Sequence, residues 1–199
     1  QTLEQLDASG DLNSRGLELM ARLCQQLGRN ERLRALAPRL QATKELPEAQ
    51  VNELLAVVRL AEVRAAAERG DAEALEKAWS DVPRAARKLP QSVAAYARAA
   101  MACGDHAAAE RVLRELIDQS ADATAIRLYG ELVLDKPLVP LERAEGWLRQ
   151  RPDDPELLAS CARLCLRAEL FGKARSYLEA SLARRPNSEN SLILADLLE

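Results

Sequence analysis

Four arginines recur in similar local sequences and are the side chains best suited to bind an anionic group. They lie in four pentapeptides: Arg22 in MARLC, Arg64 in EVRAA, Arg98 in YARAA and Arg163 in CARLC. Each guanidinium presents a planar fork of N–H donors that matches the oxygens of a carboxylate or a phosphate. On a single face they would form a positive stripe, on a chain of formal net charge −3, that attracts an extended acidic peptide.

An alternative role for these arginines is ion pairing within the protein. Four acidic residues have sequence positions that suit such pairing with a neighbouring helix: Glu18, Glu62, Glu68 and Glu156. An exposed pair contributes only about 0–1 kcal/mol and can be exchanged for another partner. Internal pairing and ligand binding therefore both stay open.

Residue types that perform catalysis or bind metals are sparse. The chain has one histidine, His106, and four cysteines without CxxC spacing, at 24, 103, 161 and 165. A zinc site of the usual Cys/His kind is not expected, and we interpret Cys161 and Cys165 as small apolar core residues. No nucleophile, base and orienting group can be assembled, so the sequence predicts a protein that is not an enzyme and needs no cofactor.

The arginines are positioned by a repeat of two helices. The clearest copy is residues 154–187, DPELLASCARLCLRAELFGKARSYLEASLARRPN, in which the small Ala174 marks a close approach of two helices. This is the layout of a tetratricopeptide (TPR) repeat of about 34 residues. The first helix of such a repeat lines the concave face, and the arginines occupy its ninth position, after a small or slim residue at the eighth. In the fourth repeat the ninth position holds Val133.

Alignment on this repeat predicts an all-α, TPR-like α-solenoid of antiparallel helix pairs that twists into a right-handed superhelix. We expect about eleven helices in a single domain over 1–199. Five irregular repeats are expected near 14–47, 48–89, 90–121, 122–153 and 154–187, followed by a helix at 188–199. An aromatic content of only 3% fits helices that pack closely through small side chains.

Glycine and proline mark the expected ends of the helices. Three glycines fit the position just after a helix: Gly28, Gly70 and Gly104. Asp154-Pro155 fits a cap followed by a first-turn proline. In the fourth repeat Lys136-Pro137 and Pro140 favour an extended connection, so its second helix is expected to be short, from Leu141 to Gln150.

Several segments resemble the HemY family of proteobacterial membrane proteins. They are LEKAWSDVPRAARKLPQSVAAYARAAMACGD at 75–105, YGELV at 129–133, GWLRQRPDDPELLASCARLCLR at 146–167, FGKARSYLEASLARRP at 171–186 and LILADLLE at 192–199. The resemblance covers most of the chain and is firmer from about Leu75 onward. Phe171 stands where the family usually has Trp.

The resemblance implies a role that composition does not show. HemY proteins carry two N-terminal transmembrane helices ahead of a TPR region, and they are linked to protohaem and porphyrin metabolism without an established catalytic activity. No run of about 18 apolar residues occurs in this chain, which starts without Met and which we read as a piece of a longer protein. We expect a bacterial inner-membrane protein whose TPR region, on the cytoplasmic side, is a scaffold for late haem-biosynthesis enzymes.

With this family in view, the arginine groove suits acidic segments of proteins or the two propionates of a porphyrin. A flat macrocycle would lie against Tyr129 or Met101, for which core packing is the alternative, and His106 is the one candidate haem ligand of the usual kind. Two further hypotheses stay open: a porphyrin- or haem-binding carrier, and the TPR region of an unrelated membrane-assembly system. We interpret Trp79 and Trp147 as core anchors. The charge balance shows no basic surplus, so nucleic acid is not an expected partner.

Overall fold

The computed structural model describes residues 13–27, 29–42 and 47–198, whose regular secondary structure is entirely α-helical. The helices are α1 (Ser14–Gln26), α2 (Asn30–Ala42), α3 (Glu48–Glu68), α4 (Ala72–Ser80), α5 (Arg84–Arg87), α6 (Pro90–Ala102), α7 (His106–Ser120), α8 (Ala123–Tyr129), α9 (Leu138–Gln150), α10 (Pro155–Arg167), α11 (Phe171–Arg184) and α12 (Ser188–Leu198). The all-α prediction is confirmed. Within the described ranges, none of these helices is long and apolar enough to cross a membrane.

The chain divides into two compact units, with α1–α6 in Gln1–Cys103 and α7–α12 in Gly104–Glu199. In the first unit α1 packs on α2 and α3, and α3 packs in turn on α4 and α6. Trp79 stacks on Tyr96 with 4.4 Å between the ring centroids, which confirms it as a core anchor. The single-domain assignment, the repeat boundaries and the superhelical hand stay predictions.

Helix α10 is the central helix of the second unit. It packs against α8, α9 and α11, and every residue from Leu157 to Cys165 is buried. A helix surrounded in this way needs apolar or small residues on all sides. Cys161 and Cys165, both 0% exposed, meet that need, and their interpretation as core residues is confirmed.

The small or slim residues that the sequence places at helix contacts are fully buried. The residues at the eighth position of four repeats are 0% exposed: Ala21, Val63, Ala97 and Ala162. Ala174, which the sequence places at a close approach, is also 0% exposed. Because protein interiors are packed as densely as organic crystals, a larger side chain at any of these positions would force the helices apart.

The predicted helix ends coincide with local backbone signals. Gly70 and Gly104 follow α3 and α6 with positive φ angles of 67° and 81°, a region that glycine enters without steric cost. Asp154 caps α10 by accepting two first-turn amides, and Pro155 is the first residue of that helix. These ends are confirmed, whereas Gly28 lies outside the described residues.

The fourth repeat contains an irregular connection, but its second helix starts earlier than expected. Residues 130–137 are non-helical, and α9 begins at Leu138 instead of Leu141. Pro137 has helical angles (φ −65°, ψ −20°), and Pro140 is buried in the first turn of α9. A proline is tolerated there because the first amides of a helix have no acceptor within it. The prediction that Pro137 and Pro140 are extended is therefore wrong.

Gly130 allows the end of α8 to touch α10. A Cβ atom at Gly130 would lie 2.8 Å from Cα of Ser160 and 2.9 Å from its Oγ. Ser160 has little freedom to move, because its hydroxyl donates a 2.7 Å hydrogen bond to the carbonyl of Ile126. Its own helix is also buried on all sides.

We expect Gly130→Ala to lower the free energy of unfolding by about 1–3 kcal/mol, the usual cost of overpacking. The matched control is Gly146→Ala inside α9, where the atom nearest to the new Cβ is Arg149 Nη2 at 3.6 Å. There the helix propensity of alanine should raise stability by up to about 1 kcal/mol. Urea unfolding followed by circular dichroism measures both variants, and equal destabilisation would contradict the contact at Gly130.

Candidate functional site

Two of the predicted arginines are exposed in the first unit and have no partner among its described residues. Arg64 lies on α3 and Arg98 on α6, two helices that pack directly against each other. Within the described part of the chain, neither side chain forms a salt bridge or a hydrogen bond. Both guanidinium groups are therefore accessible to an anionic ligand.

Arg22 is exposed but paired within its own helix. Its Nη2 lies 2.9 Å from Glu18 Oε1, and its side chain is 56% exposed. Such an i,i+4 pair contributes little and exchanges readily, so Arg22 also stays accessible. Two of the other acids proposed as internal partners have different cations beside them: Glu62 pairs with Arg59, and Glu156 pairs with Arg185.

Arg163 differs from the other three because α12 covers it. The residue is only 9% exposed. Its Nη2 lies 3.0 Å from Glu189 Oε1 and donates a 3.3 Å hydrogen bond to Asn190 Oδ1. In this conformation Arg163 follows the internal-pairing alternative and does not face an open groove.

Glu189 and Asn190 are the site residues that the sequence analysis missed. They lie in the first turn of α12, where the side chain of Asn187 accepts the amide of Asn190 at 3.1 Å. The sequence carries only an indirect indication of these two residues. In a stacked array each repeat contacts its neighbours, so polar residues early in 188–199 are natural partners for an arginine of the preceding first helix.

Tyr129 belongs to the core of the second unit. It is 1% exposed, and its ring meets Trp147 edge-on at 4.8 Å between centroids. Burial, followed by the nearby Glu110 carboxylate, raises the pKa of the Tyr129 hydroxyl above its ordinary value, so the group stays a donor. The indole N–H of Trp147 donates to Asp118 at 2.7 Å. Core packing is thus the alternative that describes Tyr129, and Trp147 is confirmed as a core anchor.

All three tyrosines of the chain are held by the same kind of bond. Each hydroxyl donates to a glutamate of an earlier helix: Tyr96 to Glu76 at 2.9 Å, Tyr129 to Glu110 at 3.2 Å and Tyr177 to Glu145 at 3.0 Å. A buried hydroxyl needs such a partner. We therefore interpret these glutamates as structural hydrogen-bond acceptors and not as candidates for ligand binding or catalysis.

The remaining candidates lie apart from the arginine positions. Met101 is half-buried near the end of α6. Val133 is 57% exposed in the connection after α8, so the fourth repeat has no ninth position on a helix. The backbone N–H of Val133 donates to Nδ1 of the half-buried His106 at 3.2 Å. Among the described residues no group of three or more His, Cys, Asp or Glu side chains is placed to hold a metal ion.

Comparison with known proteins supports the fold. No protein-family model matches the chain, and no curated protein matches it. Among solved structures the chain is similar to YrrB, described as a TPR protein with an unusual peptide-binding site, at 12% identity over 98% of each chain and a TM-score of 0.57. A likeness at this identity shows the fold alone. The chain is a TPR-like α-solenoid, as its repeats predict, while the HemY resemblance stays a prediction.

The buried thiols should be unreactive in the folded protein. Burial raises the pKa of Cys161 to about 12 and that of Cys165 to about 11, and the thiolate is the reactive species. At pH 8 iodoacetamide should label the half-buried Cys103 well before either of them, as measured by peptide mass spectrometry. Labelling in urea provides the control. Equal native labelling rates at Cys103 and Cys161 would contradict the core placement.

Proposed function

We propose that this region is a non-enzymatic scaffold that binds acidic segments of partner proteins through the arginines of its first helices. The observation that carries the proposal is the pair Arg64 and Arg98, exposed on two packed helices and without partners among the described residues. Arg22 adds a third accessible guanidinium. The peptide-binding site of the structurally similar YrrB supports a surface of this kind.

The proposed binding depends on several weak contacts made together. One exposed Arg–carboxylate pair is worth about 0–1 kcal/mol, which is too little to hold a partner. Equivalent positions in successive repeats present the same fork to an extended chain, and contacts linked in one ligand add to each other. An acidic segment that spans two or three repeats therefore gains where a single carboxylate does not.

We further propose that this region belongs to a HemY-type protein linked to porphyrin metabolism. Its full-length form would sit in the bacterial inner membrane with this region on the cytoplasmic side, and its partners would be late haem-biosynthesis enzymes. The resemblance of residues 75–105 and 146–186 to that family supports this assignment. The scaffold is favoured over a porphyrin carrier because the fold already uses Tyr129 and Nδ1 of His106.

The double variant Arg64→Glu/Arg98→Glu should bind an acidic chain more weakly. Losing two ion pairs of about 0.5–1 kcal/mol each lowers affinity by roughly five- to thirtyfold. Fluorescence anisotropy with fluorescein-labelled hexaglutamate measures the change, with hexaglutamine as the uncharged probe. The matched control is Arg84→Glu/Arg149→Glu, which makes the same change in net charge at exposed arginines of α5 and α9. An equal loss of affinity in both double variants would show that overall charge, and not the positions of Arg64 and Arg98, controls binding.

Affinity capture with the full-length protein tests the haem link separately. Late haem-biosynthesis enzymes should be captured by the wild type and depleted with Arg64→Glu/Arg98→Glu. A partner set without these enzymes, with hexaglutamate binding retained, would reject the link to haem and leave the acidic-segment scaffold standing.

A hemin titration separates the scaffold from the carrier. Nδ1 of His106 accepts the backbone N–H of Val133. A neutral imidazole that accepts at Nδ1 carries its own proton on Nε2, so neither nitrogen offers a free lone pair to iron, and we expect no saturable shift of the Soret band. A saturable shift that disappears in His106→Ala would instead establish axial ligation and favour the carrier.

A further inference from the structure

The guanidinium of Arg163 is satisfied on one side only. Its Nη2 has both Glu189 and Asn190 within reach, at 3.0 Å and 3.3 Å. Its Nη1 is buried and, among the described residues, has no hydrogen-bond partner. A buried donor of a charged group without an acceptor is unfavourable, and none of the described residues supplies an acceptor for this nitrogen.

The cover over Arg163 is weakly packed. The only buried residue of α12 is Asn190, whereas Leu192 and Leu198 are 67% and 57% exposed. Helix α12 is attached chiefly to α11, and Asn190 donates from Nδ2 to the hydroxyl of Ser181 at 3.3 Å. A helix that buries so little apolar surface opens at low cost in free energy.

Helix α12 contacts Arg163 through the same kinds of oxygen atom that an acidic peptide would present. Glu189 offers a carboxylate oxygen, and Asn190 offers an amide oxygen, but both approach Nη2. A free carboxylate can engage a guanidinium with two parallel N–H···O bonds. It would satisfy Nη1 as well as Nη2, which the cover does not achieve.

We propose that α12 is a displaceable cover over a carboxylate-binding site centred on Arg163. The ligand is a carboxylate side chain of an acidic peptide segment, and this inference rests on the proposed function because it takes the same partner chemistry. When the segment binds, its carboxylate replaces Glu189 and Asn190 on the guanidinium, and α12 detaches from α11. Arg163 is then a regulated member of the arginine set, while Arg64 and Arg98 remain open.

Removal of the competing carboxylate should strengthen binding. Glu189→Gln leaves the shape of α12 unchanged and weakens its hold on Arg163, so the affinity for fluorescein-labelled hexaglutamate should rise about two- to fivefold, the range expected for one partly exposed pair. The matched control is Glu179→Gln, which removes a carboxylate of the same charge from the exposed Arg175–Glu179 pair on α11. The control should leave the affinity unchanged.

Two further measurements separate displacement from simple charge attraction. The gain in Glu189→Gln should vanish when Arg163→Gln is added, with circular dichroism used to check that the fold is kept. In the wild type, saturating hexaglutamate should accelerate hydrogen–deuterium exchange over residues 188–198 and not over 155–167. Hexaglutamine should produce neither change.

The outcomes distinguish this inference from the proposed function. Equal affinity gains in Glu189→Gln and Glu179→Gln, or unchanged exchange over 188–198, would overturn the cover. If hexaglutamate binding still depends on Arg64 and Arg98 in that case, the scaffold stands without it. If the wild type does not bind hexaglutamate at all, both proposals are rejected.

Discussion

The helices of this chain approach one another through very small side chains, and the rest of the structure depends on that close contact. Ala97 and Ala162 are 0% exposed in the middle of their helices, and at Gly130 even a methyl group would meet the backbone of α10 at 2.8 Å. Close backbones leave little room for bulky side chains, in keeping with an aromatic content of 3%. They also leave little room for water, so a polar group that becomes buried must find its partner in the protein.

The buried polar groups of the second unit follow from this constraint. Ser160 donates to a carbonyl of α8, and Ser181 donates to the carbonyl of Pro155 at the start of α10. In the same unit the hydroxyls of Tyr129 and Tyr177 donate to glutamates of earlier helices. These hydrogen bonds fix the positions of packed helices along one another's axes. Among the described residues, two buried side-chain nitrogens have no hydrogen-bond partner: Nη1 of Arg163 and Nε of Arg114. Arg114 Nε still lies 3.4 Å from a carboxylate oxygen of Glu110.

Local sequence predicted the parts of the fold that local chemistry controls. Gly70, Gly104 and Asp154 end or begin helices because of their own conformational freedom and hydrogen bonding. Local sequence did not predict how exposed each arginine is. The tetrapeptide ARLC occurs at 21–24 and at 162–165, but its arginine is exposed in the first copy and buried in the second. The side chain of Arg22 is 56% exposed, and that of Arg163 is 10% exposed. The burial of Arg163 depends on Glu189 and Asn190, which lie 26 and 27 positions later in the chain. A local sequence pattern around Arg163 does not include them.

Arg22 differs from the other three arginines because it has an acid one helical turn before it. Arg22 has Glu18 at that position and pairs within its own helix, whereas Arg64, Arg98 and Arg163 have Leu60, Ala94 and Ala159 there. Arg64 has Glu68 one turn later on its own helix but forms no ion pair with it among the described residues, and Arg163 pairs with a residue outside its own helix. Arg64 and Arg98 are exposed to solvent, and an ion pair formed at such a position contributes only about 0–1 kcal/mol. For Arg163 the partners are Glu189 and Asn190 of α12, so a carboxylate ligand of the kind we propose must first displace that helix.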